Sequence, residues 1–471
     1  MKSIMNRRDF LKFAGTGMAT MIAPKSLSTS LAAAGARQPN LLFIYIDDMG
    51  WGDLGFMHNT FYETPNIDSL ARQGVVFTSA YANAPNCAPS RACLMSGQYG
   101  PRHGVYTVGS SERGKANLRK LISIKSKVTL DPGIVTIAES LKAAGYTCGH
   151  FGKWHLGKSA TTDPAAQGFD DVLVTDRADR KAKTDAHHTK QITDRAMAFM
   201  ENARSKPFFC YVTHNTIHTP IVEAPKLVAK YEQKPGVKGP GKHPVVAAMV
   251  ETLDKNVGRL LAKLDDLKIA DNTVVFFFSD NGGVLGYSSM GPLRGCKGTL
   301  YEGGIRVPLA VRWPAAVKAG QTCDVPVMGI DFYPTMLEMA SAAKPSGQIL
   351  DGQSIVALLK GANKLERKAI FWHFPSYLQG NYGFPGVWRT TPAGALRSGD
   401  WKLIEYFEDG TLELYNLKDD IGERNNLAKK IPEKTAQLHR LLLQWRKHLN
   451  APVPTKLNPK YNPTAKPNKQ T

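Results

Sequence analysis

The residues in this chain best suited to chemistry fall into short, widely spaced groups. Cys87 is followed by Pro89, Ser90 and Arg91. Pro89 suits the first turn of a helix and Arg91 lies just inside it. A helix N-terminus beside a guanidinium is a site for an anion, such as a sulfate or phosphate ester. An unaltered cysteine there is either a thiolate nucleophile or a small buried hydrophobe. Asp47-Asp48 and Asp280-Asn281 offer only oxygen ligands, which suits a hard cation, Ca²⁺ or Mg²⁺. Two adjacent aspartates after an apolar run would repel each other without a cation. The scarcity of His and Cys around them favours Ca²⁺ over Zn²⁺, and the plainer alternative is a set of helix caps and turns. Lys153, His155, His218 and Lys297 add proton-transfer and anion-neutralising groups. Taken singly, each lysine is as easily a solvated surface residue and each histidine a core residue. His214 fits either a pocket wall or hydrogen-bonded structure, and His187-His188 read as solvated or rim residues.

These groups sit where strands should end. From Asn40 onward, apolar runs alternate with amphipathic stretches, the pattern of a parallel sheet flanked by helices. The runs 41–46, 147–151, 208–213, 273–279 and 307–312 read as strands. The stretches 67–72, 134–144, 189–204, 245–267 and 332–340 read as helices. Four of the strands run into polar groups: Asp47-Asp48, Lys153-Trp154-His155, His214 with His218-Thr219-Pro220, and Asp280-Asn281. In open α/β sheets, ligands bind beyond the carboxyl ends of the strands, so these endings predict one shared site. After about Arg367 the pattern changes to short strands at 394–397, 401–407 and 412–415, with a turn at Glu408-Asp409-Gly410, then a helix over 433–449. The expected fold class is therefore α/β: a large, mostly parallel sheet flanked by helices, followed by a small C-terminal antiparallel sheet plus helix.

Taken together, the motifs resemble those of the type I, formylglycine-dependent sulfatases of the alkaline-phosphatase-like superfamily. The resemblance rests on Asp47-Asp48, Cys87-Ala88-Pro89-Ser90-Arg91, Gly152-Lys153-Trp154-His155-Leu156-Gly157 and His218-x-Pro220. It continues through Asp280-Asn281-Gly282, then Lys297-Gly298-Thr299 and Tyr301-Glu302-Gly303-Gly304. Order and spacing match from about residue 40 to 315. Ser96 stands where threonine is usual, and Cys296 precedes the lysine. The resemblance implies that Cys87 is oxidised by a formylglycine-generating maturase to 3-oxoalanine, whose hydrate attacks sulfur. It implies that Asp47, Asp48, Asp280 and Asn281, with residue 87, hold the metal. Asp280 is then the base for attack, His155 takes the proton that expels sulfate, and Arg91 and Lys153 hold the hydrate and sulfate. Lys297 neutralises the sulfate oxygens and His218 protonates the leaving oxygen. A phosphoester or phosphonate hydrolase of the same superfamily is the nearest alternative, and a non-catalytic binder of sulfated glycans a more distant one.

Bulk properties narrow partners and location. The chain has 471 residues and a formal charge of +20, of which about +12 belongs to neither terminus. Such a body attracts polyanions. No zinc-finger spacing or RNP-type stretch supports nucleic acid, so a sulfated carbohydrate, of galactose or N-acetylgalactosamine type by analogy, is the expected partner. Asn6-Arg7-Arg8-Asp9-Phe10-Leu11-Lys12 followed by a short apolar stretch looks like a twin-arginine signal over 1–36. It predicts use of the Tat export machinery, a periplasmic or secreted protein and no stable membrane insertion. Residues 37–370 then form the catalytic domain, 371–451 a C-terminal α+β subdomain and 452–471 a Pro/Lys-rich tail without a core. The six cysteines form no C-x-x-C pair, so most are expected to be buried thiols. The aromatic run Phe371–Tyr377 and the loop to Trp388, with His373 and Arg389, could stack on a sugar ring or form a seam between subdomains.

Overall fold

Asn40–Ile46 and Thr273–Ser279 are buried at every residue, which requires cover on both faces of the sheet. The computed structural model describes residues 38–465 apart from 183, 238–240, 381–383 and 385. The signal reading for 1–36 and the last residues of the tail lie outside the described residues. The main sheet has eight strands. Their spatial order is Asp171–Val174, Thr147–Gly152, Phe208–His214, Asn40–Ile46, Thr273–Ser279, Leu309–Arg312, Val75–Phe77 and Gln321–Cys323. Leu41, Phe43 and Tyr45 enter one apolar core, whereas Leu42, Ile44 and Ile46 enter the other, as the two-residue period of a strand demands. Helices Pro65–Arg72, Thr189–Ala203 and Pro244–Asp266 cover the second face. Cys87–Ser96, Ile137–Ala143 and Phe332–Met339 lie against the first.

Several elements differ from the sequence reading for local reasons. The helix expected from residue 134 starts at Ile137, because Thr136 and Glu139 form a reciprocal capping box there. Leu309–Arg312 runs antiparallel to Thr273–Ser279. No long crossover helix separates them, only the four residues Glu302–Ile305, and parallel pairing needs such a crossover. The aromatic run Phe371–Tyr377 begins within strand Ile370–Phe374, paired with Ala393–Arg397. It completes a four-stranded antiparallel sheet with Trp401–Tyr406 and Leu412–Asn416, packed against helix Pro432–His448. The aromatics are therefore committed to packing. Phe371 stacks on Trp445 with ring centroids 4.7 Å apart, and Trp372 Nε1 donates to Ala82 O at 2.8 Å, in the segment just before helix Cys87–Ser96.

The described part of the tail is strapped down. Ile122 N donates to Lys456 O, and Asn458 N to Lys120 O, both at 2.9 Å. All six cysteines are unpaired and buried. Among the described residues no helix is long and apolar enough to cross a membrane.

Candidate active site

The carboxyl ends of four adjacent parallel strands converge as expected. Asp47 and Asp48 follow Ile46, and Asp280 follows Ser279, one strand over. Asp48 sits at φ 64°, a left-handed conformation that aspartate tolerates better than most residues. Its backbone N–H donates to Asp280 Oδ1 at 3.2 Å, and Asn281 Nδ2 donates to its Oδ1 at 2.8 Å. Cys87 is the first residue of helix Cys87–Ser96. Arg91, four residues on, therefore lies on the same face. Arg91 is 1% exposed; its Nε and Nη2 donate to Asp280 Oδ2 at 2.9 and 2.7 Å, and its Nη1 to Lys153 O at 2.9 Å. Lys153 pairs with Asp47. Lys297 pairs with Asp48 and stands 3.2 Å from Cys87 Sγ.

One ligand atom from each of Asp47, Asp48, Cys87 and Asp280 lies within 4.8 Å of the others. Asp47 Oδ1 and Asn281 Oδ1 are buried without a hydrogen-bond partner. Orphaned buried oxygens are costly, and two of them beside three carboxylates fit a hard cation. Burial pushes the Cys87 thiol up to about 12, with Asp47 adding to the effect, so unmodified Cys87 is a protonated thiol near neutral pH rather than a ready thiolate. Burial and then Asp47 push Asp280 up to about 7, against the opposing pull of Arg91. His155 lies at φ 62°. Burial, reinforced by Lys153, pulls its imidazole down to about 2, which keeps it neutral, and its Nδ1 has no partner. His218 Nδ1 donates to Thr219 O at 2.9 Å, leaving Nε2 4.0 Å from Asp48 Oδ2.

Cys87, Asp48, His155, His218, Lys297 and Arg389 line a cavity of about 220 Å³. Arg389 donates to Gln379 O at 3.0 Å and to Lys297 O at 3.1 Å, which sets it at the rim beside the lysine. The other two tentative substrate residues lie elsewhere. His214 is fully buried at its strand end with neither ring nitrogen hydrogen-bonded, so it is neither a pocket wall nor a hydrogen-bonded structural group. His373 is held in the subdomain core by Pro452 O at 2.9 Å and by the rings of Tyr106 and Phe407. It lines neither cavity at the site. His187 is buried rather than solvated. Sequence reasoning passed over Arg113, which lines the cavity, and Asp176, whose Oδ1 accepts from Trp154 N at 2.8 Å and His155 N at 3.2 Å. Asp176 follows a four-residue strand at the same sheet edge, a run too short to signal itself.

A mostly parallel sheet carrying an acidic cluster and a helix-borne cysteine at its carboxyl edge defines an alkaline-phosphatase-like hydrolase. Comparison with known proteins narrows the class. The Sulfatase family matches residues 39–342, and the family described as N-sulphoglucosamine sulphohydrolase, C-terminal, matches residues 296–448. A sulfatase of Formosa agariphila is 32% identical, covering 92% of this chain and 93% of the relative. N-acetylgalactosamine-6-sulfatase of Homo sapiens is 31% identical over 75% of this chain and 72% of its own. The crystal structure of Ps i-CgsB in complex with k-i-k-neocarrahexaose superposes with a TM-score of 0.74 at 27% identity, covering 90% of this chain and 95% of the other. The chain belongs to the sulfatase family, and it is a sulfuric ester hydrolase.

Proposed function

We propose that the protein is an exported, metal-dependent carbohydrate sulfatase that releases inorganic sulfate from a galactose- or N-acetylgalactosamine-type sugar. The observation that carries this reading is the convergence of Cys87, Arg91 and Lys297 on three buried carboxylates at one sheet edge. Relatives named N-acetylgalactosamine-6-sulfatase in mammals and in Bacteroides thetaiotaomicron support the substrate class. Asp47, Asp48, Asp280 and Asn281 would hold Ca²⁺, or Mg²⁺, which when bound supplies a Lewis acid for the ester oxygens. Oxidised to formylglycine and hydrated, residue 87 supplies one hydroxyl to attack sulfur and a second whose deprotonation releases sulfate.

The chain's own residues set the rest. Arg91 fixes Asp280 through two hydrogen bonds and so orients the base. Asp47, Asp48 and Asp280 offset Lys153, Lys297 and Arg91 in formal charge, so a divalent cation turns the cluster positive, as an anionic ester requires. Lys297, 3.2 Å from Sγ of residue 87, stands where it can neutralise a sulfate oxygen. His218 keeps its Nε2 free of the backbone contact and can protonate the leaving oxygen. His155 presents a neutral, unpartnered Nδ1 as proton acceptor.

The deciding experiment measures sulfate release from galactose and N-acetylgalactosamine sulfated at O4 or O6. It includes the Cys87→Ala variant, a chelated sample and the mass of the peptide containing residue 87. Turnover lost in the variant and on chelation is expected. Aldehyde-bearing protein that hydrolyses phosphate or phosphonate esters faster than sulfate esters overturns the assignment.

A further inference from the structure

A second cavity, of about 480 Å³, adjoins the one at Cys87 and shares His218 and Thr219 with it. It is lined by the buried Asp47, Lys153, His187 and Asn215, by the half-buried Asp176 and by the exposed Arg177 and Arg180. The basic groups around Cys87 are all engaged. Arg91, Lys153 and Lys297 have carboxylates, while Arg113 and Arg389 donate to backbone carbonyls. Arg177 and Arg180 differ: both are exposed, and no hydrogen bond or ion pair engages either guanidinium among the described residues. The wall beside them holds two buried acceptors without donors, His187 Nδ1 and Asn215 Oδ1. His187 Nε2 donates to Pro220 O at 3.0 Å, which leaves Nδ1 as the lone-pair nitrogen. Asn215 Nδ2 is likewise occupied by Thr175. Unsatisfied acceptors call for hydroxyl donors, and free guanidinia call for an anion. A sugar ring bearing an acidic substituent supplies both.

The inner cavity is smaller than the roughly 300–1,000 Å³ that takes a drug-sized ligand, so it suits the sulfate and one sugar ring. The larger cavity beside it offers room for a neighbouring sugar. From the two unpaired guanidinia and the two orphaned acceptors we infer that this cavity is a second subsite. It takes the adjacent residue of a glycan and reads an anionic group on it, a sulfate or a carboxylate. The natural substrate is accordingly an oligosaccharide charged on neighbouring sugars rather than an isolated sulfated monosaccharide. This inference rests on the carbohydrate sulfatase reading. A further hollow shares Asp176 and Arg177 with the subsite, leaving room for a longer chain.

The test uses full-length, aldehyde-bearing enzyme and three probes: N-acetylgalactosamine 6-sulfate, its disaccharide with a uronic acid, and the same disaccharide with a sulfate on the uronic acid. The expected result is a kcat/KM that rises at least tenfold from the first probe to the better of the charged disaccharides. The Arg177→Ala/Arg180→Ala variant should erase that preference. The two disaccharides identify whether carboxylate or sulfate is read. Calorimetric binding to Cys87→Ala protein gives a readout independent of turnover, in which the double arginine variant weakens the charged disaccharide at least tenfold. Equal kcat/KM for all three probes, or a preference that survives the double variant, overturns the subsite while leaving the sulfatase reading intact. Failure of aldehyde-bearing enzyme to release sulfate from any ester, simple aryl sulfates included, overturns the reading itself.

Discussion

Replacing Lys402 with methionine probes the junction that holds the loop carrying Lys297 in place. Lys402 is completely buried, with Nζ 2.8 Å from Glu302 Oε1 and 2.9 Å from Glu423 Oε1. Glu423 Oε2 in turn accepts the backbone N–H of Glu302 at 2.7 Å. Tyr81 and Arg306 donate to the second oxygen of Glu302 at 2.6 and 3.1 Å. The C-terminal sheet thus grips the turn that begins at Lys297. Methionine keeps the length of the side chain and removes its charge. Glu302 retains Arg306, whereas Glu423 loses its cation. Removing one partner of a buried pair costs about 3–5 kcal/mol. At about 2.1 cal/mol/K of unfolding entropy per residue, a chain of 471 residues shifts by about 1 °C per kcal/mol, so the melting temperature should fall by about 3–5 °C. Burial already raises Glu423 to about 7, with Lys402 pulling it down, so the variant should carry Glu423 protonated at neutral pH. Adding Glu423→Gln then supplies a neutral partner permanently and should recover about 1–3 kcal/mol. Urea unfolding followed by tryptophan fluorescence measures both steps, and kcat on an aryl sulfate reports the loosening of Lys297. A single variant within about 1 kcal/mol of the parent, well short of the about 3–5 kcal/mol expected, or a double variant no more stable than the single, would refute the reasoning.

Other perturbations test the site and the core. Arg91→Lys cannot serve Asp280 and Lys153 O at once, because one ammonium replaces a fork with donors in two directions. A loss of about 100-fold in kcat/KM is expected, about 2.7 kcal/mol of transition-state stabilisation, and near-parental turnover of an aryl sulfate would contradict it. Chelation should abolish turnover, and Ca²⁺ at about 100 times its Kd should restore it and stabilise the fold by about 2.7 kcal/mol. A thermal shift unaltered by Asp47→Asn would place the ion elsewhere. His103, His150 and His373 are held down by burial, to about 3, 3 and 4. Below pH 6.5 the unfolded chain therefore binds more protons than the folded one. Stability present above pH 6.5 should fall as pH drops toward 4, by up to about 1.4 kcal/mol per unit for each ring. Urea midpoints that stay flat between pH 7 and pH 5 would sink this account.

The order of residues alone shows which groups stand at the ends of the buried strands and which chemistry they can do. Runs apolar on both faces, such as Leu41–Ile46, mark interior strands without reference to any partner, and the acids and cations after them are visible in the same few letters. Burial is a local property that composition reports. The partners of these groups are not local. Arg91 meets Asp280 across 189 residues and Lys297 meets Asp48 across 249. Long-range packing made Leu309–Arg312 run antiparallel and committed Phe371 and Trp372 to packing rather than sugar binding. It also set His373 against Pro452 O in the tail and, among the described residues, left Arg177 and Arg180 without counter-ions beside the site. An aromatic run has the same spelling whether it faces a ligand or a helix, and an arginine the same spelling paired or free. What distinguishes them is the surface brought against them when distant segments pack, and that surface is written elsewhere in the chain.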